Sequence, residues 1–399
     1  MRSPATPMRP PGSGGAPASA ALPLLDNVPH CLRRGALQLP ARRSERDPCY
    51  YSDRLLAFAP RMSRWMQALA ALVLAIAPLH ADRGAGRLTH IEASRMSMAC
   101  LYSIDTYGRD ANGLRKTLDD AFDEVDRIDR LMSHYRPDSP LSRINRDAAW
   151  HPVAVDPELF DFLLESMRYN RESGGAFDIT VGPLMKAWGF FRGEGRLPSP
   201  QQLDEARRHV GASHVLFDRA HRTIAFDEGG IELDLGGIAK GYAVDRVVQL
   251  LRARGVSAAL VSAGGSTIYG LGAPPGRDAW DVAIQDPLGA SGTAMRVNLK
   301  DRALSIAGTS EKWFEVEGVR YSHIMDPRTG MPVQGVLSVA VLTSTGTAGD
   351  ALDDALFVLG VQKSRGYVRR LAATDAYFFV PDAAKGWRVE HVSSRDPRN

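Results

Sequence analysis

Asp350, Asp353 and Asp354 crowd into one short segment, Gly349-Asp-Ala-Leu-Asp-Asp-Ala-Leu-Phe-Val-Leu359. Lys240 closes a glycine turn in Glu232-Leu-Asp-Leu-Gly-Gly-Ile-Ala-Lys-Gly-Tyr-Ala-Val-Asp245. The first pattern predicts a helix with three carboxylates in its first turn. Acids suit a helix start through capping and the dipole. Three so close repel one another unless a cation or solvent relieves them, and hard oxygen ligands of this kind suit Mg2+ held together with substrate phosphates. The second pattern predicts a strand, a turn and a helix start, the form of an anion site. Glycines let backbone N–H groups approach phosphate oxygens, the helix terminus adds positive potential, and Lys240 adds a full charge. A plain strand-to-helix turn with a solvated lysine has the same pattern, and neither GxxxxGK[ST] nor GxGxxG is present.

Four weaker features accompany these. Ser262-Ala-Gly-Gly-Ser266 follows an apolar run and reads as a turn or a close backbone approach. His323-Ile-Met-Asp-Pro-Arg-Thr-Gly330 puts a histidine at a strand end before an Asp-Pro turn, where Asp326 forms the turn and His323 is either a core or a functional residue. Ser133-His-Tyr135-Arg-Pro-Asp-Ser139-Pro-Leu-Ser142-Arg-Ile-Asn145 is a polar loop, and Gly174-Gly-Ala176-Phe177-Asp178 is a glycine-led segment. Tyr135 or Phe177 could cover a flavin or adenine ring, or simply pack in the core.

The elements that position these residues follow from periodicity. Leu118, Phe122, Val125, Ile128 and Met132 repeat at helical spacing and stop before Tyr135-Arg-Pro137. Asp156-Pro157 starts a second helix that runs to about Asn170, before Gly174-Gly175. His214 to Asp227 reads as a hairpin, Ile231 to Leu235 as a strand, Tyr242 to Leu251 as a helix ending at Gly255, and Ala258 to Ser262 as a strand. Strands interleaved with long helices predict an α+β, or mixed α/β, fold.

Composition sets outer bounds. A chain of 399 residues with 44% hydrophobic and 24% charged residues has material for a sizeable globular core. Residues 1–61 hold nine Arg, no Lys and four acids, which accounts for the net charge of +3 and leaves the rest close to neutral, so nucleic acid is not a partner. That segment also holds ten of the 25 prolines and no apolar periodicity, which predicts a disordered extension, read here as a mis-assigned start. Met62-Ser-Arg64, the apolar run Trp65 to Ile76 and Ala77-Pro-Leu-His-Ala81 read as a signal peptide with cleavage near Ala81. Membrane contact is then only transient, through this segment. Cys31, Cys49 and Cys100 show no metal or disulfide spacing.

In order along the chain, these segments resemble the motif series of the ApbE-type flavin transferases: SxYxxxSxxSxxN at 133–145, GGxFD at 174–178, DLGGIAKGYAVD at 234–245, the Gly264-Gly265 pair, HxxDPxTG at 323–330 and the acidic stretch from Asp350. The resemblance implies one unit over about 90–385, built of two intertwined subdomains with mixed sheets flanked by helices, followed by a flexible tail at 386–399. It implies FAD as substrate, held at Met98, Tyr135, Ala176, Phe177, Asp178, Asp234, Lys240 and Ile324. It further implies Mg2+ at the Gly237 carbonyl and the side chains of Asp350, Asp353 and Asp354.

The implied reaction is attack by a Thr or Ser hydroxyl of an acceptor protein on the FMN-side phosphorus of FAD, releasing AMP. Asp350 and Lys240 would serve it, with His323 or a metal-site acid taking the hydroxyl proton. The resemblance and the signal together place the protein in the periplasm, at the inner membrane if the signal stays uncleaved, with an exported redox-complex subunit as acceptor. A Mg2+-dependent FAD pyrophosphatase giving FMN and AMP, and a non-catalytic periplasmic flavin-binding protein, are the alternatives. Two departures stand out: Asp354 replaces the usual Thr, and Met98-Ala99-Cys100 replaces MGT.

Overall fold

The computed structural model describes residues 88–395 apart from 194, 290 and 291; the expected extension and signal segment at 1–81 lie outside them. In chain order come β1 (Thr89–Ser97), β2 (Cys100–Gly108), α1 (Ala111–Met132), α2 (Pro140–Asp147), β3 (Val153–Ala154), α3 (Pro157–Ser173), α4 (Gly182–Ala187) and α5 (Pro200–Arg208). These are followed by β4 (Val215–Asp218), β5 (Thr223–Phe226), α6 (Ala239–Ala253), β6 (Ala259–Ala263), β7 (Thr267–Leu271), β8 (Trp280–Gln285) and β9 (Thr293–Leu299). The last group is β10 (Arg302–Gly308), β11 (Trp313–Val316), β12 (Val319–Ser322), β13 (Met325–Asp326), β14 (Met331–Pro332), β15 (Ser338–Thr343), α7 (Gly346–Val368), β16 (Asp375–Asp382) and β17 (Gly386–Ser393).

The principal sheet has eight strands in the order β1-β2-β6-β7-β10-β15-β16-β17. The α+β class stands, but every ladder in this sheet is antiparallel, so it is not mixed in direction. Successive strand residues point to opposite faces, and here both faces are covered. Ala303, Val339 and Val341 join a core with α1, α6 and α7. Their neighbours Leu304, Ala340 and Leu342 join a second core with Trp280, Val282, Val297 and Leu299 of the β8–β9 ribbon. That is why the middle of β15, Val339-Ala-Val-Leu342, is an unbroken apolar run, and all six residues of the strand are buried.

Helix α1 forms because Asp110 caps it, accepting from Asn112 N and Gly113 N, and because Leu118, Phe122, Val125 and Ile128 share one buried face. Helix α3 has Asp156 as N-cap and Gly174 in the left-handed conformation at its end (φ 64°), the asymmetry its sequence carries.

Three expectations need correction. Ile231–Leu235 is extended but belongs to no ladder. Its backbone is held by Asn145, which accepts from Leu233 N (2.8 Å) and donates to Leu233 O (2.9 Å), and by loop contacts such as Asp234 N to Ile179 O (2.7 Å). The segment 386–393 is no flexible tail: β17 pairs with β16 over its whole length, Val392 is fully buried and Trp387 packs edge-on against Phe379. Finally, α7 starts at Gly346 under a Thr345 cap, so the three acids fall beyond its first turn.

Candidate active site

The site forms where the starts of α6 and α7 cross, and each helix start is capped by the other helix. Asp350 of α7 accepts from Gly241 N of α6 (3.0 Å). In return, Asp245 of α6 accepts from Gly346 N (2.6 Å), Thr347 N (2.8 Å) and Thr347 Oγ1 (2.6 Å). Helix starts leave N–H groups without intrahelical partners, and a carboxylate there meets both the missing bonds and the dipole. The crossing needs glycine: a Cβ on Gly241 would fall 2.2 Å from Gly346 O, and one on Gly346 would fall 2.7 Å from Gly241 O. The glycine motif and the acidic motif are therefore two halves of one junction.

A buried chain of hydroxyls extends it. Thr267 Oγ1 donates to Asp350 Oδ1 (3.0 Å) and lies 3.1 Å from Ser305 Oγ, which donates to Asp353 Oδ2 (2.7 Å). Lys240 Nζ sits 3.9 Å from Asp350 Oδ1. Asp354 lies against the glycine turn, where a Cβ on Gly237 would meet its Oδ2 at 2.3 Å and the Phe177 ring at 3.5 Å. Asp234 shapes that turn by accepting from Gly236 N (2.8 Å) and faces His134 Nδ1 at 3.3 Å.

The charges here are poorly balanced. Burial, then the neighbouring Asp354 and Asp350, push the Asp353 carboxyl well above the usual range, while the Ser305 hydroxyl pulls it back. Burial and Asp350 push Asp354 up to about 7, against Lys240. Burial opposes the charge of Lys240, but the surrounding acids, Asp350 foremost, outweigh it and raise its pKa. One lysine facing three carboxylates leaves room for further positive charge. Among the described residues no group of three or more His, Cys, Asp or Glu is drawn together as a finished metal cluster. The oxygen-only donors and their excess negative charge fit a hard dication.

The other expected positions divide. Tyr135 is half-exposed and stacks on Phe191 (centroids 5.0 Å apart, planes 26° apart), beside His134. Met98 and Ala99 form the β1–β2 turn with φ of 49° and 59°, and Met98 Sδ accepts from Tyr102 OH (3.2 Å). Next to it, Gly264-Gly265 makes the β6–β7 turn at φ 60° and 74°, which calls for glycine, so this pair is a hairpin turn. Ala176 is buried. Asp178 turns its carboxylate inward to Thr180 N (2.8 Å) and Thr180 Oγ1 (2.6 Å). Ile324 is buried and accepts from Val333 N (2.9 Å), and Asp326 closes its turn by accepting from Gly330 N (2.8 Å). The His323 ring is held by Lys312 O at 3.2 Å.

Thr267, Ser305 and the capping role of Asp245 escaped sequence reasoning, because a hydroxyl in a strand or an acid in mid-helix gives no signal until its partner is placed. A cavity of about 830 Å3, lined by His134, Lys186, Phe191, Arg196, His209 and Glu232 among others, opens beside the Tyr135 loop and does not include the acid cluster. The unbalanced charge lies at the cluster and not in that cavity.

With a dication on its carboxylates and Lys240 beside them, such a junction could hold a polyphosphate in line for displacement, the work of an α+β phosphoryl-handling enzyme. The chain belongs to the ApbE family, whose model matches residues 98–378. It is 34% identical over 334 residues to an FAD:protein FMN transferase of Treponema pallidum, covering 79% of this chain and 92% of that protein. A transferase of the same description from Salmonella typhimurium is 32% identical over 299 residues, covering 73% and 85%. Among solved structures, the ApbE protein of Thermotoga maritima superimposes with a TM-score of 0.69 at 30% identity, covering 76% of this chain and 97% of that one. The flavin transferase ApbE of Vibrio cholerae gives 0.68 at 29%, covering 77% and 98%.

Proposed function

We propose that this protein is an FAD:protein FMN transferase that moves FMN from FAD to a Thr or Ser hydroxyl of an acceptor protein and releases AMP. The observation that carries the reading is the reciprocally capped α6–α7 junction, which brings Lys240 and the carboxylates to the Gly237 turn in a chain whose relatives carry that activity.

Lys240 offsets charge on the pyrophosphate, and the Gly236-Gly237 turn lets the phosphate oxygens approach the backbone. Asp350, Asp353, Asp354 and the Gly237 carbonyl would hold Mg2+. When bound there, the ion supplies charge neutralisation across the phosphates. The Tyr135–Phe191 stack offers a flat apolar face beside the junction for an aromatic ring of the substrate. His323 is suited to take the hydroxyl proton, because burial lowers its pKa and keeps the imidazole neutral. As that proton leaves, the acceptor oxygen bonds to the FMN-side phosphorus and the bond from that phosphorus to the bridging oxygen breaks. AMP departs with the bridging oxygen.

The test is an incubation of the protein with FAD, Mg2+ and an acceptor domain bearing a Thr or Ser site, read by intact mass and by AMP. A mass gain of FMN less water on the acceptor, with AMP released, is expected. AMP and free FMN without labelling would replace the transferase by a pyrophosphatase, and intact FAD would leave a flavin carrier. Export to the periplasm is supported by the basic, apolar and small-residue series at 62–81, and an exported redox subunit as acceptor is what the family resemblance implies for such a protein. N-terminal sequencing of the protein from a periplasmic fraction should start after Ala81; a start at Met1 would contradict export by this signal.

A further inference from the structure

Glu311 belongs to none of the motifs above, yet it lies beside the one histidine the mechanism uses. His323 follows β12 and is gripped by a single carbonyl: its backbone N donates to Lys312 O (3.0 Å) and its ring Nδ1 lies 3.2 Å from the same oxygen. A carbonyl only accepts, so Nδ1 carries the hydrogen and Nε2 keeps its lone pair. Nε2 lies 4.0 Å from Glu311 Oε2. While the imidazole is neutral, these are two acceptors facing each other without a bond. Once Nε2 gains a proton, the same distance becomes an ion pair. The Phe190 ring stands edge-on to the imidazole at 6.4 Å and gives it an apolar neighbour.

We infer that Glu311 supports the proton-accepting step through His323: Lys312 O holds the ring, and Glu311, facing Nε2, stabilises the imidazolium formed when Nε2 takes the proton of the acceptor hydroxyl. The inference rests on the transferase reading. In the step, the acceptor O–H bond breaks and its proton goes to Nε2. The oxygen bonds to the FMN-side phosphorus, and AMP takes the bridging oxygen with its electron pair. The proton on Nε2 then passes to AMP or to solvent. Three charged side chains act on the ring. After burial, which lowers its pKa, Glu311 is the strongest influence and raises it, whereas Lys312 and Lys240 lower it. Without Glu311, two cations and a buried ring would leave the imidazolium with no compensating charge.

The test compares the wild-type protein with E311Q and E311D, given FAD, Mg2+ and an acceptor domain. AMP release and acceptor mass are followed from about pH 5 to about pH 9, and the ring nitrogens of His323 are titrated by NMR in each protein. E311Q should lower kcat by about 10- to 100-fold with KM for FAD unchanged. Loss of the carboxylate should lower the His323 pKa, so the acidic limb of kcat/KM should move to lower pH. E311D should recover part of the rate. The NMR titration should move in the same direction with the hydrogen still on Nδ1. An unshifted His323 titration in E311Q, or a raised KM with kcat intact, would overturn the inference. If the wild-type protein fails to label the acceptor, the transferase reading falls, and the NMR titration still decides whether Glu311 and His323 are coupled.

Discussion

The two faces of the principal sheet are built on opposite principles. Under the β8–β9 ribbon, Trp280, Val282, Ile284 and Leu299 fill an apolar layer, and even the Trp280 indole N–H has its partner, Leu271 O at 3.0 Å. On the other face, α6 and α7 bring Asp350, Asp353 and Asp354 together with Lys240 inside the fold, and burial pushes Asp353 and Asp354 up together. One face is satisfied by its own side chains; the other is strained until something positive arrives. The contrast teaches that the sheet and ribbon provide rigidity, while chemistry sits where the fold tolerates unbalanced charge.

Substitutions should separate the faces. Asp350→Ala removes a proposed metal ligand and the Gly241 cap together, and should lower kcat for FMN transfer on the order of 1,000-fold; a wild-type rate in a steady-state AMP assay would break the contrast at once. Leu299→Ala, fully buried under the ribbon, should instead cost about 2–5 kcal/mol of stability with kcat unchanged below its melting temperature. Denaturant unfolding and the same AMP assay read both numbers. Gly241→Ala should do some of each, because its Cβ meets fixed backbone. We expect a loss of about 1–3 kcal/mol together with a lower kcat as Asp350 is displaced.

Acid and metal sharpen the comparison further. The Asp354 carboxyl, raised from 3.8 to about 7 in the folded protein, binds more protons folded than unfolded in between. Stability of the metal-free protein should therefore fall as pH rises from about 4 to about 7. Added Mg2+ should raise Tm more above that window than below it. Thermal melts at each end with and without Mg2+ measure this, and an equal shift at both would contradict it. The smallest effect concerns the β1–β2 turn, where Ala99 holds a positive φ that glycine adopts freely. Ala99→Gly should stabilise by up to about 1 kcal/mol, read as a small rise in Tm.

Much of this was legible in the sequence because it is local. The α1 periodicity, the Asp156-Pro157 start of α3 and the 214–227 hairpin each depend on residues a few positions apart. The acid cluster and glycine turn stood out by composition, and the motif series pointed to the family. What stayed hidden depends on distant partners. Ile231–Leu235 has the apolar alternation of a strand, but its backbone is held by Asn145, 88 positions from Leu233. That α7 starts at Gly346, ahead of the acidic stretch, is not legible, because Gly346 and Gly349 serve contacts with the distant Gly241 and Ser305. Thr267 and Ser305 lie in strands with nothing to mark them until Asp350 and Asp353 come alongside.

Whether the α6–α7 junction is the catalytic and metal-holding centre is decided by a crystal structure of the protein with FAD and Mn2+, using anomalous scattering to find the ion. A peak is expected among the Gly237 carbonyl, Asp350, Asp353 and Asp354, with the FAD pyrophosphate beside Lys240. A peak elsewhere, such as at the exposed Asp119 and Asp123 of α1, with the junction empty, would contradict it.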